Sequence, residues 1–589
     1  MDQAAARTTL SSYRKRPKGP FHSQSPYPPR ARLVVPAIIA SEYAVSSFRK
    51  RILSATAVAL SVGLLATGCS NLAPSTEAAA DGTVVVVVPE LSTQLSFDTS
   101  YAITASYFDT SLALNATLIR KPYIESDQAG TTEQDLYNFE GVLAEDYTVS
   151  DDGLTYTFNL REGIMSEMGN ELTSEDVVWS YQRKFGAATS IVPYVTAPAI
   201  VSADQFVATD KYTVTVTVEK PAYGFTLLST MADITGDIYD STYLKENATD
   251  ADPWATEFTS GRYDFGFGAY TVESVDPGSE MVLVANENYA LGTPEITRII
   301  QRVVPDAGNR AQALKNGDAD VALGLLAADL NELESDDSVL VPEKARNGYL
   351  VFSLNTKLAP FDDLAVRKAF TSAIDYDQIM SEVYQGRAVK KNTMLSTDAP
   401  GYDGTGLPDW EYDPEATKAA LEAAGYTENV PVTISVSNEN QSISDLAVSI
   451  KSSALAAGFD VTVEALPATQ MQEKAAGGQV QATIGNGEAI SLTPSYQLQL
   501  LTTPGSSSNY AQWDSPTFQA LVAAGDAIAD PLSEEGGKAW NAAEKYWLTE
   551  EVPHIFLGQT GSDSAVASTL DGWTWRTDHA VDLSVMTQD

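Results

Sequence analysis

Cys69 is the only cysteine in the 589-residue sequence, so the chain cannot close an internal disulfide and its fold must depend on side-chain packing. The residue closes the mostly apolar run ILSATAVALSVGLLATGC, and the basic cluster Arg49, Lys50 and Arg51 immediately precedes that run. A basic region, an apolar stretch and small residues before a cleavage point are the features of a secretory signal. The alternative for a lone cysteine is a buried free thiol.

The end of this run, Ala66 to Cys69, resembles a bacterial lipobox, in which the cysteine becomes the first residue of the processed protein and carries lipid. The resemblance implies that residues 1–68 are a signal or precursor segment and that 69–82 are a lipid-anchored linker. We therefore expect lipidation of Cys69 and a location on the outer face of the cell membrane, outside the cytoplasm.

Charge excludes one class of partner. Residues 1–68 hold ten of the 37 basic and two of the 78 acidic residues, which leaves 27 basic and 76 acidic residues and a formal net charge of −49. A chain of this charge repels phosphate, and it has no basic stripe with interleaved aromatic residues. We expect no nucleic-acid partner.

Length and hydrophobic pattern indicate an α/β fold in more than one lobe. The 521 residues after the signal exceed what a single core normally holds. The run GTVVVVVPE predicts a strand buried on both faces, and Asp152-Gly153 predicts a hairpin within LAEDYTVSDDGLTYTFNLREG. Thr173 with Asp176 predicts a capped helix start, and Gly425 predicts a helix end. Helices then alternate with strands, which indicates α/β lobes with parallel strands.

Six segments in this order carry a resemblance to a known family. They are LAEDYTVSDDGLTYTFNLREG, LTSEDVVWSYQR, GFGAYTVESVDPGSEMVLVANENY, NGDADVA, LNTKLAPFDDLAVRKAFTSAID and DPEATKAALEAAGY. Together they resemble bacterial extracellular solute-binding protein family 5, whose members serve peptide and nickel ABC importers. The resemblance implies a two-lobed, periplasmic-binding-protein-like type II (class C) α/β fold with an extra subdomain in lobe one. It also implies hinge closure on a ligand and delivery to a permease.

This resemblance sets the expected lobe boundaries. We predict lobe one over 83–303, with the extra subdomain at about 113–200, lobe two over 304–544, and a return to lobe one over 545–589. The chain would then cross the hinge twice.

Candidate ligand contacts lie where loops meet beyond strand ends. We predict ligand-binding roles for the following residues: Glu90, Leu91, Ser92, Tyr107, Phe108, Phe267, Asn355, Glu488, Thr493 and Tyr496. Arg367 either pairs with a ligand carboxylate or holds a lobe together through an internal ion pair.

One departure from the family concerns its acidic anchor. Peptide-binding members have a stretch like GWxxDYxDP, in which an aspartate holds the ligand's amino terminus. The corresponding stretch here is GNGEAISLTPSYQ, with Thr493 at the anchoring position and no tryptophan. Glu488 could supply the charge and Tyr496 the aromatic surface, or each could be a simple loop residue. A weak anchor would favour peptides held through their backbone, modified peptides or an uncharged solute.

An enzyme is the competing class of protein, and few residues of the sequence suit catalysis. After Cys69 the only histidines are His554 and His579, and no HExxH or GxSxG motif occurs. We expect no enzyme, no cofactor and no metal, including nickel, although counting cannot exclude a glycosidase-type carboxylate pair.

The sequence therefore predicts a monomeric binding lipoprotein of an ABC importer, with a permease and cytoplasmic ATPases as partners and oligopeptides or dipeptides as ligands. The alternatives are a non-peptide solute (oligosaccharide, opine-like compound or metal chelate), an extracellular hydrolase, and a surface lipoprotein used for signalling or adhesion.

Overall fold

A computed structural model describes residues 82–92, 105–188, 190–343, 348–397, 399–506, 508–528, 530–578 and 580–588. The side chains of residues 105, 106 and 488 are outside this description. The predicted signal, the linker up to residue 81, Cys69 and His579 lie outside the described residues.

The strands of the described chain are β1 (Thr83–Val88), β2 (Ile119–Arg120), β3 (Tyr123–Glu125), β4 (Thr131–Gln134), β5 (Glu140–Gly141), β6 (Ala144–Val149), β7 (Thr155–Leu160), β8 (Phe206–Asp210), β9 (Thr213–Thr217), β10 (Tyr270–Asp276), β11 (Glu280–Ala285), β12 (Arg298–Val303), β13 (Val321–Ala322), β14 (Val339–Leu340), β15 (Gly348–Leu354), β16 (Ala388–Val389), β17 (Val430–Ser437), β18 (Phe459–Leu466), β19 (Ala482–Glu488), β20 (His554–Thr560), β21 (Ala565–Ala567), β22 (Leu570–Asp571), β23 (Trp573–Trp575) and β24 (Thr587–Gln588).

The α-helices are α1 (Ala105–Leu114), α2 (Ser174–Gly186), α3 (Val192–Val195), α4 (Gly224–Met231), α5 (Ser241–Asn247), α6 (Ala307–Lys315), α7 (Ala327–Leu333), α8 (Leu364–Phe370), α9 (Tyr376–Gln378), α10 (Pro414–Ala423), α11 (Gln441–Ala456), α12 (Ala468–Ala476), α13 (Pro494–Leu500), α14 (Pro516–Gly525) and α15 (Glu534–Lys545). Short 3-10 helices lie at Ala203–Gln205, Pro221–Tyr223 and Ile234–Gly236, and π-helical turns at Ile379–Val383 and Tyr546–Glu551. None of the helices described is both long enough and apolar enough to cross a membrane.

The first sheet is organised around the valine run that the sequence singled out. Its strand order is β10-β11-β12-β1-β13-β21-β14, and β1 pairs in parallel with both β12 and β13. Five of the six residues of β1 are buried, as predicted for a central strand. Burial of each valine side chain contributes roughly 1.5 kcal/mol or more. The remaining pairs of this sheet are antiparallel, so the sheet is mixed and not parallel throughout.

A four-stranded antiparallel sheet forms the extra subdomain. Its order is β6-β7-β9-β8, and the predicted hairpin joins β6 to β7. Gly153 takes the left-handed φ of 71° in this turn, while Asp152 Oδ1 accepts a hydrogen bond from the Leu154 amide at 3.1 Å. Helix α2 begins as predicted, because the Asp176 carboxylate accepts the Thr173 amide at 2.7 Å. The apolar core of the subdomain extends to Ile238 and includes Phe267, well past the predicted end near residue 200.

The second sheet has the order β16-β20-β15-β19-β17-β18. Its β17 pairs in parallel with β18 and β19, whereas β15 pairs antiparallel with β19 and β20. Helices α10, α11 and α12 lie along the chain between these strands. Gly425 follows α10 with a φ of 96°, which is the predicted helix end.

The chain changes sheets at different residues from the predicted boundaries. Strands β13 and β14 belong to the first sheet, although both lie after residue 304, and β20 belongs to the second sheet, although it lies after residue 545. The physical reason is strand pairing over long distances: β13 completes the parallel neighbours of β1, and β20 pairs with β15. The two crossings fall between β14 and β15 and between β20 and β21.

Side-chain packing follows the same division. One large apolar core contains only residues from Tyr349 to Leu557, and the other large cores contain residues up to Val341 or from Ala565 onward. We call 82–343 with 561–588 the first lobe and 348–560 the second lobe. Each lobe therefore has its own apolar core.

One buried histidine gives the second lobe a titratable core group. The side chain of His554 is fully buried, and its Nδ1 accepts a hydrogen bond from Trp547 Nε1 at 3.1 Å. Among the described residues its Nε2 has no hydrogen-bond partner. Burial lowers the pKa of His554 to about 3, so the folded protein keeps this imidazole neutral.

We predict that His554 makes the protein less stable as pH falls below about 6.5. The unfolded chain binds a proton at His554 below its ordinary pKa of about 6.5, while the folded chain does so only near pH 3, so acid favours unfolding. Replacement His554→Gln removes this effect. Chemical unfolding of both proteins between pH 7 and pH 4 should show the stability advantage of the wild type over the variant falling by up to about 1.4 kcal/mol per pH unit. An advantage that stays constant over this range would contradict the prediction.

Candidate ligand-binding site

The two lobes meet through polar groups rather than through a shared apolar core. On one side, hydrogen bonds join Lys121 Nζ to the Ile490 carbonyl at 3.2 Å, the hydroxyls of Thr226 and Thr493 at 2.6 Å, and the Tyr223 hydroxyl to Asp526 Oδ2 at 3.2 Å. The first-lobe partners come from the β2–β3 connection and from the start of α4. The second-lobe partners come from the segment between β19 and α13 and from the end of α14. We call the surface that these residues share the interlobe junction. Elsewhere Arg387 of the second lobe donates to Asn331 Oδ1 at 2.7 Å and forms an ion pair with Glu334 at 2.6 Å.

Lys121 is the buried cation of the junction. Its side chain is 1% exposed, and besides the Ile490 carbonyl it donates to Thr577 Oγ1 at 2.9 Å. Burial lowers the pKa of Lys121, and the charges of Asp233 and Asp578 oppose that effect. Both of its described hydrogen-bond acceptors are neutral oxygens.

Asp233 is the nearby buried anion. It follows α4, is 2% exposed, and its Oδ1 accepts the Ile234 amide at 2.9 Å. Burial and the negative charge of Asp578 raise its pKa to about 7, although Lys121 and Arg576 favour the ionised form. Across the junction, burial together with the charge of Asp233 raises the pKa of the Tyr496 hydroxyl well above its usual value.

A tight ion pair lies behind these two groups. The Arg576 guanidinium binds the Asp578 carboxylate through two hydrogen bonds, of 2.8 and 2.5 Å. Burial favours the protonated form of Asp578, but the guanidinium outweighs burial and holds the pKa of that carboxyl below its usual range. Asp582 lies 3.9 Å from Arg576 and accepts the Tyr123 hydroxyl at 2.6 Å. These charges are engaged with one another.

A polar cavity adjoins this group of charges on the first-lobe side. The residues that line it include Arg120, Tyr123, Asp233, Asp237 and Arg576. Asp237 accepts the Ser111 hydroxyl at 2.8 Å, and burial raises its pKa to about 7. All residues that line this cavity belong to the first lobe.

Two of the predicted site residues lie at the junction. Thr493 is 1% exposed, and its hydroxyl is shared between Thr226 and the Ser491 hydroxyl, which lies 3.2 Å away. Tyr496 is 3% exposed in α13, the helix that Thr493 precedes. Glu488 ends β19, and its side chain lies outside the described residues.

The predicted residues after β1 and in α1 lie in the first lobe. Leu91 packs in the core of the first sheet, and the Ser92 carbonyl accepts the Tyr263 hydroxyl at 3.2 Å, while Glu90 is half-buried beside them. Tyr107 and Phe108 pack edge to face, with ring centroids 5.9 Å apart, in a small apolar cluster with Ile234. Ile234 follows Asp233, so this cluster borders the junction.

Phe267 and Asn355 have contacts that favour structural roles. Phe267 is 1% exposed in the subdomain core. The Asn355 side-chain amide donates to the Val480 and Gly478 carbonyls at 2.9 and 3.2 Å, and its oxygen accepts the Lys357 amide at 3.0 Å. Every bond described for Asn355 thus joins loops of the second lobe to one another.

Arg367 also binds within the second lobe. Its guanidinium donates to the carbonyls of Phe361 and Glu551 at 2.7 and 2.9 Å, and it lies 3.7 Å from the Glu551 carboxylate. Of the two roles considered from the sequence, the contacts support the internal one. Arg367 ties the start of α8 to the turn before β20.

Sequence reasoning missed Lys121, Asp233, Tyr223, Thr226 and Asp526. A faint signal was present, since Lys121 interrupts the apolar stretch LIRKPYI and Asp233 interrupts FTLLSTMADITG. Charged residues in such surroundings are buried mainly where they have a partner or a function. Among the described residues no group of three or more histidine, cysteine, aspartate or glutamate side chains is arranged to hold a metal ion.

Comparisons with known proteins show which proteins the chain is similar to. The chain is 29% identical over 330 residues to heme-binding protein A of Haemophilus influenzae, across 51% of this chain and 59% of that protein. It is 27% identical over 351 residues to the probable D,D-dipeptide-binding periplasmic protein DdpA of Escherichia coli K12, across 59% of this chain and 65% of that protein. These matches thus span less than two thirds of the length of either relative.

A solved structure shows the same fold. The periplasmic binding protein DppA from Helicobacter pylori, described as ABC transporter-associated and in complex with the peptide STSA, superposes with a TM-score of 0.74 at 20% identity. The superposition covers 86% of this chain and 98% of that protein, which confirms the two-lobed fold class predicted from the sequence. The family model for bacterial extracellular solute-binding proteins, family 5, matches residues 138–509, and the chain belongs to that family.

Proposed function

We propose that this protein is the solute-capturing lipoprotein of an ABC importer. It binds extracellular oligopeptides or dipeptides between its lobes, closes on them by a hinge motion and delivers them to a permease that cytoplasmic ATPases drive. The observation that carries the proposal is the polar interlobe junction in a chain that belongs to a family of extracellular solute-binding proteins.

The division of the apolar cores supports hinge closure. Because each lobe has its own apolar core, the lobes can separate without exposing either core to water. The contacts between the lobes are hydrogen bonds and the Arg387–Glu334 ion pair, and water can also satisfy these groups. The free energy of opening is therefore modest, and a ligand that bridges the lobes can shift the equilibrium toward closure.

A non-peptide solute is the second candidate, and the contacts of Thr493 favour it. In peptide-binding relatives an acidic anchor is expected at this position, but here a neutral hydroxyl occupies it and bonds to Thr226. Without a charge on this wall, a solute with no free amine could bind equally well.

We predict that the soluble protein carries peptides out of a peptide-rich host. The chain from Ser70 onward, purified without denaturation from cells grown in rich medium and then denatured, should release a ladder of peptide masses in mass spectrometry. A matched sample from cells grown on amino acids alone should release far less. A protein that releases no peptide and whose melting temperature no peptide raises would contradict the peptide assignment and favour the non-peptide solute.

We also predict that Cys69 carries the membrane anchor. Cells fed a radiolabelled fatty acid should incorporate label into the wild-type protein, which should sediment with membranes because its lipid partitions into the bilayer. The Cys69→Ser variant should lose the label and leave the membrane fraction, whereas a Ser70→Ala variant should behave as the wild type. Equal labelling of the Cys69→Ser variant would contradict the anchor.

A further inference from the structure

Two of the hydrogen bonds at the interlobe junction start from one short stretch of the first lobe, the beginning of α4. The Tyr223 hydroxyl donates to Asp526 Oδ2 at 3.2 Å, and the Thr226 hydroxyl lies 2.6 Å from that of Thr493. Tyr223 and Thr226 are three residues apart, so they lie one helical turn from each other on the same side of the chain. All four side chains are at most 9% exposed, and each pair is in direct contact.

Close packing fixes the first-lobe half of this contact. The Tyr223 ring belongs to the apolar core of the subdomain. In the next residue, a Cβ at Gly224 would overlap the Tyr156 hydroxyl of β7, so glycine lets the start of α4 lie directly against the subdomain sheet. The Tyr223 hydroxyl therefore extends toward the second lobe from a ring that packing holds in place.

The second-lobe half is fixed in a similar way. Asp526 directly follows α14, and a Cβ at Gly525 would overlap the Trp540 ring of α15. Thr493 directly precedes α13, and its hydroxyl is also within 3.2 Å of the Ser491 hydroxyl. Both acceptors thus lie at helix ends that the second lobe itself positions.

This contact differs from the one that Arg387 makes. The Arg387 carbonyl accepts the Gly561 amide at 2.7 Å, and Gly561 belongs to the connection between β20 and β21. A contact beside a hinge moves little when two lobes rotate about that hinge. None of the described hydrogen bonds of Tyr223 or Thr226 reaches a connecting segment, so a rotation that opens the lobes separates these two pairs.

We propose that Tyr223 and Thr226, with Asp526 and Thr493, form a latch that holds the lobes together before any solute binds. Each of the four groups finds its partner in the protein itself, and the bond to the Asp526 carboxylate is charge-assisted. The solute-free protein therefore exchanges between an open form and a latched form, and the latch sets the ratio of the two. This inference rests on the hinge motion of the proposed function and specifies how that motion is regulated.

The test measures the closed fraction in the absence of solute. The full-length chain carries dyes at Val201→Cys in the first lobe and Leu455→Cys in the second, in a Cys69→Ser background, because these side chains are 53% and 56% exposed. It is unfolded in guanidinium to release bound solute and then refolded in detergent, and native mass spectrometry checks that it is empty. Single-molecule fluorescence energy transfer should show two populations, a longer and a shorter interlobe distance.

Variants then assign the shorter population to the latch. Tyr223→Phe and Thr226→Val each remove one hydroxyl and keep the shape of the side chain, so each should lower the closed-to-open ratio about two- to tenfold. Asp526→Ala should do the same, and Asp526→Asn, which keeps an acceptor oxygen, should lose less. Adding Tyr223→Phe to Asp526→Ala should lower the ratio little further, because both remove the same bond.

Matched controls come from the surface of the first lobe. The Tyr212 hydroxyl donates to Glu171 at 2.8 Å, and the Thr209 hydroxyl donates to the Thr213 carbonyl at 3.2 Å. Tyr212→Phe and Thr209→Val make the same chemical changes away from the junction. Both should keep the wild-type ratio.

Three results would overturn the proposal. A solute-free wild type that shows only the longer distance, which added peptides shorten, would exclude the latch and leave closure on a solute in place. Two populations whose ratio is the same in the wild type and in folded latch variants would also exclude it. One distance that neither variants nor added solutes change would contradict the hinge motion of the proposed function, and with it this inference. Since the first result needs no variant, a variant that fails to fold does not remove the test.

Discussion

The structure depends on one constraint: two apolar cores in one chain are joined by a junction in which charges are buried. Apolar packing holds each lobe together, and the apolar core of the second lobe shares no residue with those of the first. At the junction the contacts are hydrogen bonds, with Lys121 donating to the Ile490 carbonyl across it. Burial makes the free energy of these polar groups depend strongly on their neighbours, because an unpaired charge is costly where water is excluded. The buried polar groups that join the lobes therefore also make the junction suitable for a polar solute.

The sequence predicts the local structure well because local structure depends on neighbouring residues. The valine run gave a buried central strand, Asp152-Gly153 gave the hairpin, and Thr173 with Asp176 gave the helix start. Each of these signals lies within a few residues and follows from backbone geometry and hydrogen bonding. The family resemblance then supplied the overall fold, which the solved structure of a relative bears out.

The predicted boundaries and several site residues depend on contacts that are distant in sequence. Strands β13 and β14 have only two residues each, so their membership of the first sheet is decided by their partners and not by their own pattern. Phe267 and Asn355 were expected near the ligand, but each has neighbours that explain its burial. Lys121 and Asp233 became visible only once the fold had brought them to the same junction. A charged residue in a sequence does not reveal whether its partner is protein, water or ligand.

Ligand specificity depends on the side chains of a site and not on the fold that carries it. Two relatives at similar identity are described by different ligands, heme for one and D,D-dipeptides for the other. In this chain the side chain at Thr493 is a neutral hydroxyl that bonds to Thr226. A substitution at a site position can change the ligand while the sheets and apolar cores remain the same.

Closure of the two lobes on a solute is tested most directly by a measurement of the distance between the lobes. Spin labels can be attached at Val207→Cys in the first lobe and Val448→Cys in the second lobe, in a Cys69→Ser background, because both valines are exposed, at 50% and 58%. Pulsed electron paramagnetic resonance would then give the distance distribution with and without the free peptide library. We predict a broad distribution that becomes narrower and shorter when peptide is added. A distribution that is identical under both conditions, with peptide demonstrably bound, would contradict closure.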